Sequence, residues 1–81
     1  MTRHDVILKL QEIFDRIFVE NVVVSEELSA DDVDEWDSLL QVTLLVAVEK
    51  AFGIRFALGE VESTRNVGEF ADLIIKHTEG N

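Results

Sequence analysis

The 81-residue chain contains no cysteine. This excludes a disulfide framework, a thiolate metal site and a thiol nucleophile supplied by the polypeptide. It fits a reducing compartment. Any thioester chemistry would need an imported sulfur. Cations are scarce: seven Lys and Arg stand against seventeen Asp and Glu, a formal net charge of −10. Such a chain repels nucleic-acid phosphates and anionic membrane surfaces, so neither is an expected partner. Histidine is limited to His4 and His77, near opposite ends. Long apolar runs are missing as well. The longest, Leu44 to Val48, falls far short of the ~20 residues that cross a bilayer. Met1-Thr2-Arg3-His4-Asp5 has neither a signal-peptide core nor a cleavage pattern. The expectation is a cytoplasmic, monomeric, free-standing protein with one domain over residues 1–81. At this size roughly 60% of the unfolded surface is buried on folding, so stability is modest. Hydrophobic content of 47% is nevertheless too high for a disordered acidic tail.

What is present reads as helices. Val6, Ile7, Leu10, Ile13, Phe14, Ile17 and Phe18 recur at helical spacing and define a first helix from Arg3 to about Val19. Thr2 and Asp5 have capping-box spacing at its start. Asn21 suits a left-handed residue ending it. His4 is expected in solvent. Residues 22–37 form the longest connection. Val22-Val23-Val24 resists a helix because all three are β-branched, and reads as an extended segment with some side chains turned inward. Leu28, Val33 and Trp36 would pin this connection to the bundle.

The connection is acidic at Glu26, Glu27, Asp31, Asp32, Asp34, Glu35 and Asp37. A calcium-loop reading counted from Asp32 fails: Asp37 stands where a glycine turn is needed and Thr43 where a bidentate Glu is needed. A solvated acidic face is the expectation, with no metal site. Trp36 reads as a residue closing the connection onto the helices. Its other reading is part of a partner-facing surface, where Trp is enriched.

The connection ends at Trp36-Asp37-Ser38-Leu39, where a second helix begins and runs to Phe52. Asp37 is a helix-capping residue. Ser38 then sits at the positive end of the helix dipole, a favourable place for a phosphate. Gly53 is a natural C′ residue, with Ile54 folding back on Val48. Val42, Leu45, Val48 and Phe52 are the expected inner face, flanked by Leu44 and Ala47. Leu39, Thr43, Val46 and Lys50 line the outer face. A short helical turn is expected around Leu58 to Val61. The last helix starts at Asn66, with Glu69 in capping-box position, and buries Val67, Phe70, Ala71, Leu73 and Ile74. Lys76 and His77 suit its negative end, with His77 in solvent.

Ser38 is not placed as a catalytic nucleophile: no G-x-S-x-G elbow surrounds it and only two distant histidines exist to serve as a base. Local sequence leaves it as a helix-terminal serine or a residue modified by another enzyme. Asp37-Ser38-Leu39, Val42, Leu44, Leu45, Ala47 and Val48, then Glu49 and Phe52-Gly53-Ile54, resemble the acyl carrier protein family in register. Val67-Gly68-Glu69-Phe70-Ala71-Asp72-Leu73-Ile74 extends the match, so that the resemblance covers nearly the whole chain.

The resemblance implies an all-α fold, a four-helix bundle of acyl carrier type with three longer helices, one short helix and a long first loop. It implies 4′-phosphopantetheine on Ser38, transferred from coenzyme A with Mg²⁺ by a phosphopantetheinyl transferase. Asp37 and Leu39 complete that site, and Asp37 is positioned to help hold the cation. The terminal thiol of the arm would carry acyl groups as thioesters for fatty acid or polyketide synthesis; an aminoacyl or peptidyl cargo is the variant reading. The chain itself would catalyse nothing. A different class of reading is a helical interaction module without a prosthetic group. Partners implied are acyl-transferring or condensing enzymes with basic or apolar docking patches.

The chain departs from the family in the docking helix. Thr43, Leu40 and Lys50 stand where acidic residues are common, and no proline follows Ile54. Docking is therefore expected through Leu39, Leu40, Thr43, Val46 and Lys50, with Glu35 and Trp36 of the preceding loop. Val42, Leu45, Ala47 and Val61 are the expected lining of an acyl cavity.

Overall fold

The first helix stops where an aromatic side chain has to turn inward. In the computed structural model, which describes residues 1–57 and 59–79, α1 spans Arg3–Ile17. Thr2 Oγ1 accepts the Asp5 N–H and Asp5 Oδ2 accepts the Thr2 N–H, closing the expected capping box at 3.1 Å each way. Phe18 is already extended (φ −88°, ψ 137°). Its ring is buried and stacks on Phe14, with centroids 4.8 Å apart. The helix therefore ends two residues before the expected Val19. Asn21 does not take the left-handed conformation, since no described non-glycine residue has a positive φ. The Glu35 carboxylate instead holds the Val19 and Glu20 N–H groups at the exit, at 2.8 and 3.0 Å.

The long connection is packed, as Leu28, Val33 and Trp36 required. Val22 and Val24 are buried and Val23 is exposed, the alternation of a strand. No strand forms among the described residues. Gln11 takes the place of a neighbouring strand: its Nε2 donates to Val22 O and its Oε1 accepts from Val24 N, both at 2.8 Å. A 3-10 turn follows at Ala30–Asp32. Trp36 then packs edge-on against Phe14 and Phe18, with centroids 5.3 and 5.7 Å away.

Helix α2 spans Ser38–Phe52 and α3 spans Val67–Glu79. Gly53 closes α2 in the left-handed region (φ 66°, ψ 40°), and the Ile54 N–H reaches back to Glu49 O at 3.1 Å. The short helical element is a 3-10 turn at Val61–Ser63, later than the expected Leu58 to Val61; Leu58 lies outside the described residues. Asn66 caps α3 by accepting the Glu69 N–H at 2.9 Å, while Glu69 accepts from Arg65 N instead of closing the box on Asn66. The first α3 donors are met by the long connection. Val67 N–H donates to Leu28 O at 2.8 Å and Gly68 N–H to Glu26 O at 2.9 Å.

Phe14, Leu10, Leu44, Ile74, Val6, Val48 and Val67 are the largest fully buried side chains, each worth roughly 1.5–3 kcal/mol of transfer free energy. Helix α1 packs against both α2 and α3, whereas α2 and α3 make little direct contact. That separation leaves a cleft beside the start of α2.

Candidate functional site

Asp37 sets the geometry at the head of α2. Its backbone is extended, its Oδ1 accepts the Leu40 N–H at 2.9 Å, and its carbonyl accepts the Gln41 N–H at 2.9 Å. Ser38 and Leu39 hold the remaining donors of the first turn. Ser38 is exposed, on the first residue of the helix, where the dipole is positive. Its hydroxyl has no base beside it among the described residues. His4 is exposed in the first turn of α1 and His77 Nε2 lies 2.7 Å from Glu60 Oε1. His77 is thus not the solvated residue expected. It is half-buried, edge-on to Phe56, and ties the end of α3 to the turn before Val61. The Glu60 carboxyl is held below the usual range by the Ala57 N–H and then by His77.

Six of the seven acidic residues of the connection are exposed and Glu35 is half-buried, yet several of them are engaged. Glu26 pairs with Arg3, which also grips Asp72; these two carboxylates raise the Arg3 guanidinium further, Asp72 first. Asp32 accepts the Ser29 N–H at 3.0 Å. With Glu35 at the α1 exit and Asp37 at the α2 cap, several of these acids are acceptors for specific backbone donors. Glu27, Asp31 and Asp34 are exposed and make no such contact among the described residues. Among the described residues no three His, Asp or Glu side chains converge as metal ligands.

A cleft of about 520 Å³ opens one turn from Ser38, within the usual range for small-molecule sites. Its apolar lining comes from Leu28, Leu44, Val61, Val67 and Phe70, and Trp36 and Gln41, which flank the serine in sequence, line it as well. Of the expected cavity residues only Val61 lines it. Val42 is 60% exposed, so it is neither on the inner face nor in the cavity. Leu45 and Ala47 are half-buried against the core elsewhere. Leu44, expected to flank, is fully buried and central.

The outer stripe of α2 falls as expected at Leu39 (77% exposed), Thr43, Val46 (46%) and Lys50, with Val42 beside it. Leu40 departs from this, being half-buried against the core. Glu35 and Trp36 are half-buried and occupied by the contacts above. Sequence reasoning overlooked Gln41. Its signal was a lone amide in an apolar run, three residues from Ser38.

The family described as a phosphopantetheine attachment site matches residues 31–74. An acyl carrier protein of Rubrobacter xylanophilus is 36% identical over 78 residues, covering 95% of this chain and 96% of that one. The chain belongs to the acyl carrier protein family. An acyl carrier protein of Acidothermus cellulolyticus is 31% identical over 80 residues, covering 96% and 94%. The solution structure of a holo acyl carrier protein from Geobacter metallireducens superposes with a TM-score of 0.76 at 37% identity, spanning 98% of this chain and 87% of that one. The carrier is accordingly a substrate of other enzymes and not a catalyst. It carries acyl groups on a covalent 4′-phosphopantetheine arm and works with a phosphopantetheinyl transferase and acyl-processing enzymes. The residues fit such an arm: an exposed hydroxyl at a helix N-terminus, first-turn donors for a phosphate, and an apolar cleft one turn away.

Proposed function

We propose that Ser38 bears the arm and that the carrier serves fatty acid or polyketide assembly as a cytoplasmic, monomeric single domain. The observation that carries this reading is the exposed Ser38 hydroxyl on the first residue of α2, capped by Asp37 and facing an open approach. Asp37 holds the first turn rigid, so that Ser38 is presented in one orientation to an incoming enzyme. The N–H groups of Ser38 and Leu39 stabilise a phosphodiester there. The arm supplies a terminal thiol for thioester linkage. Effective concentration at each partner site does the rest of the work.

Docking proceeds along the outer face of α2. Leu39, Val42 and Val46 give it apolar contact, Thr43 and Lys50 flank them, and Asp31 and Asp34 offer carboxylates to basic patches near the serine. Incubation with coenzyme A, Mg²⁺ and a broad-specificity transferase should add one phosphopantetheine mass to the wild type and none to Ser38→Ala. Leu39→Asp with Val46→Glu should slow the same modification. Unchanged wild-type mass would leave the chain as an interaction module without a prosthetic group.

A further inference from the structure

Two side-chain amides line the cleft, and each has its oxygen committed. Gln41 Oε1 accepts the Trp36 indole N–H at 2.6 Å, and Asn66 Oδ1 accepts the Glu69 N–H at 2.9 Å. The indole nitrogen and the backbone N–H are donors only, so each amide is fixed in one orientation. Both NH₂ groups are turned the other way, and neither meets an acceptor among the described residues. Other hydroxyls of the wall are occupied: Thr64 donates to Val61 O at 2.6 Å and Ser29 to Asp32 at 3.3 Å. Leu44, Val61 and Phe70 are among the apolar residues that line the same cleft.

A saturated chain laid across that wall would strip water from an amide N–H and give nothing back. A chain with an oxygen at that depth would restore the lost bond. Sites built to donate a hydrogen bond discriminate against analogues that lack the acceptor. We propose that Gln41 is the specificity-determining residue of the cleft and, with Asn66, favours acyl groups bearing a hydroxyl or keto oxygen over saturated chains of equal length. Trp36 is the positioning residue that aims the Gln41 amide. This rests on Ser38 carrying the arm.

The test loads octanoyl and β-hydroxyoctanoyl groups from their coenzyme A thioesters onto the wild type, Gln41→Met and Trp36→Phe. Intact mass is read first, and a wild type that gains no mass overturns the attachment at Ser38 rather than the role of Gln41. Hydroxylamine cleavage of each thioester is then timed, normalised to the same acyl group on free pantetheine. In the wild type the β-hydroxy chain should be protected about fivefold more than the saturated one, the scale of a single hydrogen bond. Gln41→Met should abolish that difference while keeping the protection of the octanoyl chain. Trp36→Phe, which keeps a ring but loses the indole N–H, should give an intermediate ratio and serves if Gln41→Met does not fold. Equal protection of both chains in the wild type, or an undiminished difference in the variants, overturns the proposal.

Discussion

Leu44 and Val42 sit two positions apart on one helix, and burial treats them oppositely: Leu44 is fully enclosed and Val42 is 60% exposed. Leu44→Ala should cost about 2–5 kcal/mol and Val42→Ala within about 0.5 kcal/mol, read by urea unfolding. Equal losses would mean that α2 is rotated from the orientation described. The sequence could not fix that rotation, because Leu39, Leu40, Val42, Leu44, Leu45, Val46, Ala47 and Val48 are apolar nearly all round the helix. Only the aromatic packing of α1 and the position of α3 select which edge is covered. Ser38 was legible because helix polarity and the residues around it set its place without reference to distant packing. His77 was not, since its partner Glu60 lies across a turn whose course the sequence does not dictate.

Glu60 gives this contact a pH signature. Its carboxyl is lowered, first by the Ala57 N–H and then by His77, so its contribution is present above the ordinary glutamate value of about 4.3 and disappears as pH falls through its lowered value in the folded state. Thermal melts of Glu60→Gln against wild type should therefore differ at neutral pH, begin to approach one another as pH falls below the ordinary glutamate value, and coincide only below the lowered folded-state value. A gap that persists unchanged into stronger acid would remove the linkage.

At the scale of elements, ends were easier to read than faces. The Thr2–Asp5 box and the caps at Asp37, Asn66 and Gly53 depend on residues three or four positions apart, which a sequence displays directly. Glu35 at the exit of α1 and Gln11 across Val22 and Val24 act over eleven to sixteen positions, and nothing local announces them. Helix α1 ended before its expected boundary because Phe18 turns inward onto Phe14 and the distant Trp36. Gly53 isolates the value of one cap. Its φ is +66° and an added Cβ would meet nothing within 4 Å, so Gly53→Ala tests conformational strain alone. The variant should lose about 1–2 kcal/mol. Gly53→Asn should lose less, because asparagine tolerates the left-handed region. Denaturant midpoints check both; equal midpoints for glycine and alanine would show that the cap contributes nothing.

For the whole molecule the dominant fact is charge. A net −10 on 81 residues opposes compaction, and Arg3, bridging Glu26 and Asp72, and Arg65 beside Glu69 relieve it locally. Raising ionic strength from about 0.01 M to about 0.1 M shortens the screening length from roughly 30 Å to roughly 10 Å and should raise the melting temperature. A flat or falling melt would show that self-repulsion is not limiting. Composition made this property readable at once; the all-helical class came from the apolar periodicity and the family resemblance. A cavity was expected, but of its lining only Val61 was read from the sequence, because the cleft lies where two helices fail to meet.

Helices α2 and α3 each lean on α1 and scarcely on one another. The seam between them can therefore widen or close while the contacts of α1 survive. A hydrocarbon tail drawn into that seam adds contact surface that the bare polypeptide lacks, and binding to the folded form alone strengthens it. Were such a tail to bind there, the protein would be sturdiest in transit and soften at the moment of handover, so that part of the work of surrendering cargo would fall on its own architecture.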